Sequence, residues 1–335
     1  VQAPTRASFR YTRSPGLVRI PKAVQSRVEY ALARTLEAGV TLLPAGAARR
    51  LGEAIGTLVQ SPLGIRRTTV EENLRRAFPE ASEQWLEQIV AETYRHLGRE
   101  AVAMVRLSSL SPDEVVEHTL IANWNEIAAT LDEGRGALLV TGHYGNWEVA
   151  AAAVAARGYP IEAVVKRQRN LRVDARVQEA RRRLGVGTIE MSEAPRRIPK
   201  ALARGHAIGM VADQDARASG VWVPFFNVPT STFRGPALFA LRFGAPVFAA
   251  VARRLEDGRY SVETERIRVE KTRDQERDIL YLTAALAAHL EGAIRADPGQ
   301  YFWFHKRWKT RPATEHPNEL FGTKASPGED EGRTP

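Results

Sequence analysis

The chain has no cysteine among its 335 residues. Disulfides, thiolate nucleophiles and cysteine-ligated zinc are therefore excluded, and a reducing cytoplasmic setting is compatible with the composition. Charge-free apolar runs of the ~18 residues that a membrane-spanning helix needs are also lacking. The best candidate, residues 235–252, is broken by Arg242 and Pro246. No basic n-region, apolar h-region and cleavage site follow one another, so no secretion signal is expected. Internal repeats and low-complexity tracts are absent outside the C-terminal end. Helix-turn-helix, RNA-recognition and zinc-finger patterns are absent too, and nucleic acid is not an expected partner.

What the chain does have is a globular balance, with 44% hydrophobic and 26% charged residues, enough to bury a substantial core. The formal charge of +9 favours anionic partners. Acidic lipid headgroups, phosphorylated sugars and an acidic carrier protein all qualify, and charge alone does not choose among them.

Residues 1–21 are basic, with Pro4, Pro15 and Pro21, and read as a flexible lead. Apolar residues at helical spacing predict helices over about 22–43 and 47–60. These amphipathic N-terminal helices either pack on the core or lie on a bilayer with arginines toward phosphates. Further helices are expected at 67–78, 82–98 and 99–107, and Leu110–Asp113 reads as another helix start. From Gly134 the texture changes to alternation. Strands are expected at 136–142, 161–166, 186–191, 206–213, 246–255 and 259–269, with helices at 147–157, 171–184, 195–204, 236–243 and 274–295. That pattern predicts an α/β fold: a central mixed, mostly parallel sheet flanked by helices. After Pro312 the composition turns to Pro, Gly and charge, and residues 313–335 read as a disordered tail.

The segment Thr141–Glu148, TGHYGNWE, falls where a buried strand ends and a helix begins, the usual place for ligand sites in open α/β sheets. His143 is at the strand tip and Glu148 in the first helical turn. The turn can fold the carboxylate back so that Glu148 holds one imidazole nitrogen and leaves the other free to take a proton. Asn146 is a candidate N-cap, and free N–H groups of the first turn could face developing negative charge. Such a pair suits an alcohol attacking an activated acyl group without a protein nucleophile; a plain structural contact is the competing reading.

Asp213, Gln214 and Asp215 follow another strand, at the same sheet edge if the strands run parallel. Asp213 could take a hydrogen bond from the histidine or from an acceptor hydroxyl; an ordinary turn or a metal site are the alternatives. Lys166, Arg167 and Arg169 open a basic stretch running to Arg183, either a solvated face or a phosphate clamp. Trp222, Phe225, Phe226, Phe233 and Phe239 are core residues or the wall of an acyl tunnel. Trp303, Phe304 and Trp308, interleaved with cations, suit a membrane interface.

TGHYGNWE resembles the HxxxxD/E motif of the glycerolipid-type acyltransferases. Together with RRTTVEENLRRAFPE (66–80), VVKRQRN (164–170), residues 212–247 and YFWFHKRWKTRP (301–312), it makes residues 25–312 similar to the lipid A late acyltransferases and to the related phosphatidylinositol mannoside acyltransferases. The resemblance implies a glycerol-3-phosphate-acyltransferase-like domain over 22–312, with residues 22–60 docking on the membrane. It implies His143 as general base and Glu148 as its orienting carboxylate. The donor is then an acyl thioester of acyl carrier protein or coenzyme A, and the acceptor a glycolipid hydroxyl. No metal, cofactor or covalent intermediate is implied. The expected place is the cytoplasmic face of the inner membrane, peripherally or shallowly attached. The family usually has arginine near Lys166, and many members have an N-terminal apolar anchor that is not visible here. A non-catalytic basic membrane-docking protein is the reading from another class.

Overall fold

The computed structural model describes residues 27, 31, 34, 35, 37–269 and 271–312. The expected basic lead, half of the first expected helix and the C-terminal tail lie outside the described residues; residues 27, 31, 34, 35 and 37–42 of that helix are helical. At the core is a seven-stranded sheet in the order β1-β9-β8-β2-β5-β3-β4. Its strands are β1 (Thr119–Ile121), β2 (Ala137–Thr141), β3 (Ile161–Val165), β4 (Val186–Glu190), β5 (Ala207–Val211), β8 (Val247–Arg254) and β9 (Tyr260–Ile267). Every neighbouring pair is parallel except β8 with β9. The central strands β2 and β8 are buried almost throughout, as the unbroken apolar runs ALLV and VFAAVA require when helices cover both faces.

The helices are α1 (Ala45–Gln60), α2 (Arg67–Ala77), α3 (Glu83–Leu107), α4 (Pro112–Glu117), α5 (Trp124–Asp132), α6 (Trp147–Ala156), α7 (Leu171–Arg183), α8 (Ala194–Leu202), α9 (Gly235–Phe243) and α10 (Gln275–Ala296). The expected 82–98 and 99–107 helices are one continuous helix, α3; its interior Gly98 is required because a Cβ there would stand 1.9 Å from the Gly52 carbonyl oxygen. α1 therefore packs closely on α3, with Ala48, Gly52 and Gly56 buried. Its other side stays open to solvent, with Arg49, Arg50 and Leu58 exposed, and Leu63 and Ile65 are exposed in the loop beyond it. Core packing and an outward apolar and basic face thus coexist on this segment. Among the described residues no helix is long and apolar enough to cross a membrane.

Four elements have no counterpart in the sequence pattern: the short edge strand β1, the helix α5 and the two strands of a hairpin. α5 begins after Asn123, a residue type that often caps helices, but here it sits in the left-handed region (φ 59°) and makes no side-chain cap. Residues 221–232 form an antiparallel hairpin, β6 (Val221–Phe225) and β7 (Val228–Thr232). Pro224 and Pro229 within it argue against a strand in the sequence. Its turn residues Phe226 and Asn227 both have positive φ, 53° and 57°. Phenylalanine rarely accepts that geometry; here the Phe226 amide donates to Glu291 Oε2 at 2.6 Å and the ring is buried beneath Arg295.

Candidate active site

The carboxyl ends of β2, β5 and β3, adjacent in the sheet, bring the sequence-predicted residues to one edge. β2 runs directly into Gly142–His143, β5 into Asp213–Gln214, and β3 into Lys166–Arg169. The turn between β2 and α6 is held by backbone bonds on two sides. The His143 carbonyl accepts from Phe302 N–H at 2.9 Å, Gly145 N–H donates to the Gln300 carbonyl at 2.9 Å, and Asn146 N–H donates to the Ala252 carbonyl at 3.0 Å. The segment 300–308 thus lies as a strap across the turn. Gly145 has φ +53°, and a Cβ there would stand 1.8 Å from the Ala252 oxygen. Gly145→Ala is therefore expected to displace the turn and to lower kcat by ~100-fold or more, the scale of an ångström-sized misplacement. Turnover at saturating donor, measured beside a thermal melt, checks this.

His143 Nδ1 lies 2.6 Å from Asp213 Oδ1, and the His143 backbone N–H donates to Asp213 Oδ2 at 2.8 Å. One buried carboxylate fixes both the main chain and the ring. This corrects the expected pairing with Glu148. The Glu148 carboxylate faces α7, where Arg181 grips it through Nε at 2.9 Å and through its terminal nitrogen. The parallel neighbour β5 delivers Asp213 directly to the ring, while Glu148, bonded to Arg181, acts on His143 through its charge alone. Arg181, from the far end of the basic stretch, is the cation that reaches the motif; Lys166, Arg167 and Arg169 are exposed at the β3 edge.

Gln214 Nε2 lies 3.4 Å from His143 Nε2 and 2.9 Å from His305 Nε2. An amide N–H donates only to an unprotonated ring nitrogen. With Asp213 accepting at Nδ1, His143 is held as the Nδ1–H tautomer, its Nε2 lone pair available. His305 was missed in the sequence because nothing local ties it to His143; the strap brings the two rings to 4.6 Å. Trp147 and Phe302 close the surroundings of His143 at 4.7 and 6.0 Å.

The electrostatics divide the two histidines. Burial pulls the His143 pKa down, but the charge and hydrogen bond of Asp213, with a contribution from Glu148, override it and raise the net value above 6.5. Burial opposes ionisation of Asp213, yet the His143 charge and hydrogen bonds and the charge of His305 hold its pKa well below the usual carboxylate range. For His305, burial and the His143 charge push the pKa down to about 4. His305 therefore stays neutral when His143 takes a proton, and no like-charge repulsion opposes that step.

The other expectations sort themselves by contact. Asn146 caps α6, its Oδ1 accepting from Val149 N–H at 3.1 Å. The N–H groups of Gly145, Asn146 and Val149 are all taken, which removes them as donors to a developing anion. Asp215 accepts from Arg217 N–H at 3.2 Å and from Thr310 Oγ1 at 2.8 Å, which ties the turn after β5 to the chain just beyond the strap. Trp303, Phe304 and Trp308 are buried core residues, which corrects the interfacial reading. They are apolar anchors of the strap, and Arg307 ties it to Gln214 and Ser231 carbonyls at 3.0 and 2.7 Å. Phe225 and Phe226 are also core. Phe225 and Phe233 line a narrow cavity of about 30 Å³ between α10 and the sheet, with Asp213 in its wall.

At its strand ends the α/β sheet presents an imidazole held by a buried carboxylate, an arrangement chemically able to take a proton from a hydroxyl. Sequence comparison agrees. Residues 25–310 match the bacterial lipid A biosynthesis acyltransferase family model, and the chain belongs to that family; it is an acyltransferase. It is 28% identical to the lipid A biosynthesis lauroyltransferase of Escherichia coli K12 over 278 residues, 82% of this chain and 89% of that protein. Identity to the palmitoleoyltransferase of the same organism is 26% over 270 residues, 79% of this chain and 86% of the relative. A phosphatidylinositol mannoside acyltransferase of Mycolicibacterium smegmatis is 29% identical over 160 residues, 47% of this chain and 52% of that protein.

Proposed function

We propose that the protein moves a fatty acyl group from a thioester to a hydroxyl of a glycolipid, with a lipid A precursor as the favoured acceptor. The observation that carries this reading is the His143–Asp213 pair, whose geometry leaves Nε2 as a base. The acceptor O–H gives its proton to Nε2, and Asp213 stabilises the imidazolium. The oxygen attacks the thioester carbonyl, the C–S bond breaks, and the imidazolium returns its proton to the departing thiolate. Atoms and charge balance without a metal or an acyl-enzyme. Acyl carrier protein and coenzyme A present the same thioester and both serve as donor candidates. Glu148, clamped by Arg181, adds negative charge near the imidazolium, and Lys166, Arg167 and Arg169 stand where a phosphorylated acceptor meets the sheet edge.

The outward face of α1 and its following loop, with Leu58, Leu63, Ile65, Arg49 and Arg50 exposed, supports peripheral docking on an anionic membrane at the cytoplasmic face. Likeness to the phosphatidylinositol mannoside enzyme supports a second acceptor class with the same chemistry. The test incubates the protein with long-chain acyl carrier protein, or acyl-coenzyme A, and extracts of each glycolipid class, read by mass spectrometry. One acceptor heavier by one acyl group, made by wild type and not by His143→Ala, identifies the acceptor and the donor. No mass gain with either donor and either extract overturns the glycolipid reading.

A further inference from the structure

Glu100, in the middle of α3, is a buried carboxylate that the mechanism above does not use; it is 6% exposed. A buried charge persists only where it is paired and hydrogen-bonded. Its partners come from three other parts of the chain: Asn146 Nδ2 and Tyr260 Oη donate to Oε2 at 2.8 Å each, and Arg254 donates to Oε1 at 3.1 Å. Arg254 also donates to Tyr260 Oη at 2.6 Å. His96, one turn earlier and also buried, stands 3.9 Å from Glu100, beyond hydrogen-bonding reach, so Arg254 is the cation that balances the carboxylate.

The contact with Asn146 has a consequence for the active site. The two ends of an asparagine amide are nearly the same shape, but a carboxylate only accepts. Glu100 therefore forces Nδ2 toward itself and leaves Oδ1 for Val149 N–H, the bond that caps α6. Asn146 is fully buried and lies three residues after His143 and two before Glu148. We propose that Glu100 is a positioning residue of the catalytic turn, acting through Asn146 to fix where α6 starts and so where His143 and Glu148 stand. The proposal rests on the general-base reading of His143 for its effect on rate, but not for its effect on the cap.

The experiment is a swap of the two partners. Asn146→Asp alone sets two carboxylates face to face. It is expected to lower kcat ~100-fold, the scale of a displaced catalytic group, with KM for the donor little changed. Adding Glu100→Gln restores a donor–acceptor pair in reverse: the new amide donates and the new carboxylate still caps Val149, while Tyr260 loses its acceptor at Oε2, which keeps the recovery short of complete. The double variant is expected to return to within about tenfold of wild-type kcat. Hydrogen exchange in the first turn of α6 should rise in the single variant and fall again in the double, with α10 unchanged. Wild-type turnover and protection in Asn146→Asp, or a double variant as impaired as the single, overturns the proposal. If the single variant does not fold, the double decides: folded and active supports the pairing, and inactive or unfolded refutes it. Exchange reads the cap without turnover, so it still decides should His143→Ala prove active and the general-base reading fall.

Discussion

Asparagine in place of Asp213 is expected to lower kcat by ~10²- to 10⁴-fold while the fold persists. The reason lies in the two bonds that the carboxylate makes. The backbone N–H of His143 donates to Oδ2 and the ring faces Oδ1. An amide must keep its oxygen toward the backbone donor, which turns its NH₂ toward Nδ1. That nitrogen then has to accept, and the ring proton moves to Nε2, the atom that must be free to act as base. The substitution is nearly isosteric, so a large fall in kcat with an unchanged melting curve reports the tautomer rather than lost packing. Full activity would mean that Asp213 only supports the loop.

His143→Ala is expected to remove the reaction more completely, by at least ~10³-fold, equivalent to about 4 kcal/mol of barrier. The ring is the only proton acceptor of the proposed mechanism; His305 is not a substitute, because its pKa of about 4 makes it a weak base. Residual turnover would come from placing thioester and hydroxyl together. The variant should remain folded by circular dichroism, since the His143 side chain is only partly buried, at the tip of β2.

The α/β half of the fold was legible because its strands are short apolar runs bounded by Gly and Pro and its helices have amphipathic spacing. β2, β3, β4, β5, β8 and β9 and the helices between them all fall within a residue or two of the expected bounds. The β6–β7 hairpin was hidden by its prolines and by a turn that places Phe226 at positive φ, a conformation held by Glu291 and Arg295 from α10 rather than by local preference. Within the site, the strand-to-helix motif showed where the chemistry sits. Spacing could not show which carboxylate reaches the ring. His143 and Glu148 are close in sequence, yet strand order places Asp213 beside the ring and Glu148 spends its oxygens on Arg181. The strap that supplies His305, and the α3 carboxylate that holds Asn146, are tertiary facts with no local signature. The aromatic and basic run 301–311 looked interfacial because composition does not say which side of a strap faces the core; Trp303 and Trp308 face inward, each with its indole N–H satisfied, by the Pro298 carbonyl and by Thr230 Oγ1 respectively.

The pH dependence of kcat/KM tests the central claim most directly, because it reports the ionisation of the free enzyme's base. A base must be unprotonated, so activity should rise with pH through the pKa of His143. Asp213 raises that pKa above 6.5 against the pull of burial; the acidic limb of the wild-type profile should therefore be centred above 6.5. In Asp213→Asn, whose residual rate is lower, burial is left with less opposition and the limb should move to lower pH. A wild-type limb centred below 6.5, or one that stays in place when Asp213 is replaced, would contradict His143 as a base held and tuned by Asp213.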